Sequence, residues 1–121
     1  MIQPLAVVRA VLDQSMAVPV STKVPSPRPS QFIRIVRVGG ARDRSVDHAL
    51  IVVECWAPNS VTAEQDALAV DEILRMSPNG GPFAGGWISR WDCNSIADNP
   101  DPETPQARFT VAGVAHILTT T

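Results

Sequence analysis

The chain has 121 residues, of which 18% are charged and 45% apolar, and its net charge is −2. That length suits one domain with a real core, and the slightly acidic balance argues against broad nucleic-acid binding by phosphate neutralisation. No apolar run approaches the ~20 residues of a membrane span, and no basic stretch precedes a long apolar one at the N-terminus, so the expectation is a soluble intracellular protein with no membrane partner.

From Pro4 to about Gln14, Leu5, Val8, Val11 and Leu12 recur on one helical face, with Pro4 suited to the first turn and Arg9 and Asp13 opposite. Val18 to Val24 is extended, and its prolines favour an edge strand. A proline-studded lead-in, PSPRPS, then feeds a hairpin: Gln31 to Val38 (QFIRIVRV), a polar loop from Gly39 to Asp47 (GGARDRSVD), and His48 to Ala57 (HALIVVECWA). Such a loop exceeds what a tight turn needs, which makes it a candidate contact arm.

Beyond Trp56 the period changes. Pro58-Asn59-Ser60 breaks the strand, and Ala63, Ala67, Val70, Ile73 and Leu74 recur at helical spacing up to Met76, with a start at Ser60 or, through a Thr62/Gln65 capping box, at Thr62. Ser77 to Gly81 ends the helix. Trp87 to Asn94 reads as a strand with Trp87, Ser89, Trp91 and Cys93 on one face. Ser95 to Gln106 reads as an exposed, stiff, acidic loop, and Ala107 to Leu118 as a last strand alternating Phe109, Val111, Gly113, Ala115 and Ile117 against Arg108, Thr110, Ala112, Val114 and His116. The expected fold is α+β: a mostly antiparallel sheet of four to five strands with two helices packed on one face and a long β-hairpin arm, all in one domain over residues 1–121.

Little in the chain suggests reaction chemistry. Cys55 and Cys93 have no metal-ligand spacing and read as buried thiols, and His48 and His116 each read as solitary surface or core side chains. Asp98, Asp101 and Glu103 depart from the spacing of a calcium loop. The glycine doublets lack the phosphate-loop fingerprint, and Trp87 with Trp91 suits a core better than a ligand stack. No cofactor, metal site or catalytic residue is expected. The low charged fraction, against roughly 25% in soluble domains, fits a subunit that hides surface against copies of itself, although an ordinary neutral domain fits equally.

Four segments carry a family resemblance. Val24, Pro25, Pro27, Arg28 and Pro29 form one; Arg37, Val38, Gly39 and Gly40 close the first hairpin strand; Val53, Glu54, Cys55, Trp56 and Ala57 close the second; and Asp101-Pro102 precedes Arg108-Phe109, with Ala107 where a proline is expected. Together they resemble the tail terminator (tail-completion, or neck) proteins of long-tailed bacteriophages, notably those of actinobacteria. The resemblance implies a non-enzymatic virion protein that forms a hexameric ring, caps the head-proximal end of the tail tube and docks the head connector. Its implied partners are further copies of itself, the major tail tube protein and the head-completion (stopper) protein, with genome DNA crossing the lumen without specific binding. On this reading Arg28, Arg34, Arg37, Arg42 and Arg44 supply interface contacts, and Asp98, Asp101 and Glu103 an acidic counter-surface. Arg34 and Arg37 fall on opposite faces of a regular strand, so the arginines cannot share one contact. The alternatives are another neck component, a tube subunit, or a small ligand-binding or enzymatic domain built on Trp87, Trp91 and His116.

Overall fold

Alternation of apolar residues sets the architecture. In the computed structural model, which describes residues 1–78 and 80–119 and so leaves Asn79 of the expected helix-ending turn outside them, the elements are α1 (Pro4–Ser15), β1 (Val20–Ser21), β2 (Phe32–Gly39), β3 (Val46–Ala57), α2 (Ser60–Met76), β4 (Trp87–Asp98) and β5 (Ala107–Leu118). The five strands form one sheet in the order β1-β2-β3-β5-β4. β1 runs parallel to β2, and every other pairing is antiparallel. This is the expected α+β fold.

Along β3 the residues Ala49, Ile51, Val53 and Cys55 are fully buried, and along β5 so are Val111, Ala115 and Ile117. They meet Val7, Val8, Val11 and Leu12 of α1 and Ala63, Ala67, Val70 and Leu74 of α2 in a single core cluster. Two alanines on the inward face of α2 let its backbone lie close to the sheet, and each large aliphatic side chain buried here contributes about 1.5–3 kcal/mol. The α2 cap is Asn59, whose side chain accepts from the Thr62 amide at 2.9 Å, so the helix starts at Ser60.

Four features differ from the sequence reading, three of them boundaries. β1 shrinks to two residues between its prolines. β3 begins at Val46, because Val46 and Asp47 pair with Leu118 and Ile117, and the connection from β2 narrows to residues 40–45. Gly40, at φ +97°, makes that turn; a Cβ there would stand 1.9 Å from the His48 carbonyl oxygen. β4 extends to Asp98, since Ile96 reaches the core opposite Val111 and Pro100 is the first residue to interrupt pairing.

The fourth difference is in β4, where register shifts between Ile88 and Arg90 and between Cys93 and Ser95 break the simple alternation. Ile88 and Trp91 both turn to the core, whereas Trp87 stays on the far side, 39% exposed. The two tryptophans therefore do not share a face. An extra residue inserted in one strand shifts the side-chain phase by one, and the hydrophobic pattern read with a strict period of two cannot anticipate it.

Candidate assembly interface

Because both helices cover one side of the sheet, the even-numbered residues of β3 and β5 are left on the other. That open face has a half-buried apolar middle, with Val36, Leu50, Val52, Ala112 and Val114, and a polar cluster at each end.

At one end Phe32, Trp56 and Arg108 lie side by side in register on β2, β3 and β5. The Phe32 ring stacks on Trp56 at 5.4 Å, and the guanidinium carbons of Arg28 and Arg108 lie 5.0 and 4.9 Å from the indole centroid. Glu54 accepts from Arg34 at 3.2 Å and from the Trp56 indole at 3.3 Å, with Arg108 at 3.9 Å. Two guanidinium groups, those of Arg34 and Arg108, thus flank the Glu54 carboxylate, while Arg28 packs over the indole. Gln106 fixes the proline-rich lead-in across this end by donating to the Pro29 and Ser30 carbonyls at 3.0 Å, while accepting from Arg28 at 3.3 Å.

At the other end the register places His48 directly opposite His116, with their Nδ1 atoms 2.7 Å apart. His116 Nε2 lies 2.9 Å from Asp92, which also accepts from Arg90 at 2.8 Å, and His48 Nε2 lies 3.3 Å from Asp43. Each outer nitrogen thus faces a carboxylate, and the two inner nitrogens face each other across the strand pair. The hydrogen bond from His116, joined by that from Arg90, holds the Asp92 carboxyl below its usual range against the opposing effect of desolvation. The backbone amides of Val46 and Ser45, then His48, do the same for Asp43. Neither histidine is solitary, and nothing in a sequence separation of 68 residues announces the pair.

The sequence-selected residues fall in separate places. Arg28 and Arg34 belong to the Trp56 end of the open face. Arg37 lies on the helix-bearing side, held by Asp47 at 2.7 and 2.9 Å and by the Gly39 and Gly40 carbonyls. Asp47 is 3% exposed, so this pair is internal. Arg42 and Arg44 lie in the exposed loop 40–45, and their side chains make no ion pair or hydrogen bond among the described residues. Asp98 ends β4; Asp101 shapes the turn after it, accepting from the Glu103 amide at 2.9 Å, and Glu103 is exposed. The arginines and the acidic residues thus form no single cluster.

Trp91, in the core, donates to Asp71 at 2.9 Å, far from Trp87 and His116 on the opposite side of the sheet. Burial, then the carboxylates of Asp66 and Glu54, push the Cys55 thiol far up, while Cys93 is only half-buried, with its thiol raised by burial and then Asp71. No group of three or more metal-ligating side chains occurs among the described residues, and no described helix is long and apolar enough to cross a membrane.

Fold and site together define an α+β protein with one sheet, helices on one side and a patterned bare face on the other. No family model and no curated protein matches the chain. Among solved structures it is similar to a chain in the virion of a native gene transfer agent (GTA) particle, with a TM-score of 0.66 at 18% identity over 93% of this chain and 95% of that one. The likeness establishes a shared fold running nearly end to end.

Proposed function

We propose that the chain is a structural protein of a phage-like virion, and within it the tail terminator: a ring that caps the head-proximal end of the tail tube and docks the head connector. The observation that carries this reading is the near-complete fold likeness to a chain of a gene transfer agent virion. The resemblance of the Pro25–Gly40, Val53–Ala57 and Asp101–Phe109 segments to tail terminators supports the finer assignment. A bare sheet face with an apolar middle fits a protein that works by contact. The net charge of −2 fits a ring through which DNA slides, since strong phosphate neutralisation would bind the duplex.

On this reading the partners are sister copies, the tube protein and the head-completion protein, and Arg42 and Arg44 on the exposed loop, with Asp98 and Glu103 across the molecule, are contact points to them. Labelled antibody against the chain, imaged on intact particles, is expected at the junction of capsid and tail. Particles assembled without the chain are expected to accumulate as separate heads and tails. Normal joined particles in its absence would refute the role.

A further inference from the structure

The molecule carries two apolar surfaces on opposite sides. One is the outward stripe of α2, where Val61, Leu68 and Met76 are 67%, 53% and 71% exposed while Ala63, Ala67, Val70 and Leu74 face the core. Steps of seven and eight residues keep those three on one side of a helix, and Glu64 and Glu72 fall on the same side. The other surface is the open sheet face, with Val52 and Ala112 at its middle and Trp87 at its rim.

We infer that α2 of one copy docks on the open sheet face of the next, a head-to-tail contact between identical subunits. Charge matches across it: three arginines, Arg28, Arg34 and Arg108, gather at the Trp56 end of the sheet face with Glu54 as the one carboxylate paired there, while Glu64 and Glu72 on the helix side make no ion pair among the described residues. Length matches too. The 17 residues of α2 span ~25 Å at 1.5 Å each, and Trp56 to His48 along β3 spans ~27 Å at 3.4 Å each. Sheet-to-sheet or helix-to-helix pairing buries one surface and leaves the other in water. A head-to-tail contact buries both and, repeated about a closed axis, makes a ring. Closure rests on the ring-forming reading proposed above; the contact itself rests on the two surfaces.

Two blocked subunits test it. Ala112→Glu places a charge at the middle of the sheet face, and Leu68→Glu places one on the α2 stripe; both sites are at least partly exposed, and circular dichroism checks that each variant folds. By sedimentation velocity up to ~1 mM the wild-type chain is expected to associate, each variant alone to be monomeric, and their equimolar mixture to form a 1:1 dimer and nothing larger. Trp87→Glu and Val61→Glu repeat the scheme should either first variant fail to fold. Loss of association with only one of the two variants, a mixture that stays monomeric, or a wild-type chain that is monomeric throughout the range overturns the inference. A wild-type ring that persists in both variants overturns this contact while leaving the terminator reading intact, whereas absence of the chain from the particle neck overturns that reading and not the contact.

Discussion

At the scale of single residues, the arginines divide by what already holds them. Arg37 is committed to a carboxylate that is almost wholly inside, so Arg37→Ala strands Asp47 and is expected to cost about 3–5 kcal/mol in urea unfolding. Arg42→Ala and Arg44→Ala, at exposed positions with no side-chain partner among the described residues, are expected to change stability by less than about 0.5 kcal/mol. Asp71 carries the clearest dependence on acid. Burial pushes its carboxyl up, but hydrogen bonds from Arg75 and Trp91 outweigh that and hold it below the usual range. A lowered carboxyl stabilises the fold above about pH 5, and that contribution disappears as pH falls through the folded-state value. Asp71→Asn is therefore expected to cost about 1 kcal/mol at pH 7 and progressively less in acid, as read by unfolding curves at pH 7, 4 and 2.

At the scale of elements, what the sequence made legible was periodic. The helical spacing in α1 and α2 and the alternation in β3 and β5 were plain, because each repeats one spatial rule over many residues. Asn59→Ala is expected to cost about 1 kcal/mol through loss of the α2 cap, measurable by thermal unfolding. β4 was only partly legible, since its two register shifts insert residues that follow no period. The histidine pair was illegible for another reason: it arises from the sheet order, which sets β5 against β3, and the sequence does not state that order. Gly113 links these points. Its missing side chain leaves room for the Trp91 ring, with a built Cβ falling 2.6 Å from the indole and 2.5 Å from the Asp92 carbonyl oxygen. Gly113→Ala is expected to destabilise by about 1–3 kcal/mol, and near-ultraviolet circular dichroism should record a displaced tryptophan.

At the scale of the whole molecule, one core joins both helices to the sheet, and Cys55 is fully buried within it. Its thiol is expected to react with a disulfide reagent only when the whole fold opens, at a rate that follows the urea-induced unfolded fraction, while Cys93 reacts from the native state. Early modification of Cys55 would mean that the sheet opens locally. The candidate interface was less legible than this core, because its parts are contributed by strands distant in sequence. Arg28, Arg34 and Arg108 lie in three different segments, and it is Trp56 that brings two of them together.

The irregular pairing of β4 has one more consequence. This strand is the sheet's outer edge, a row of twelve residues that could template another strand and seed fibrous aggregates. Two register shifts interrupt its regular pairing, and Arg90 and Asp92 line it with charge. Amyloid-like stacking of copies along this margin is thereby disfavoured.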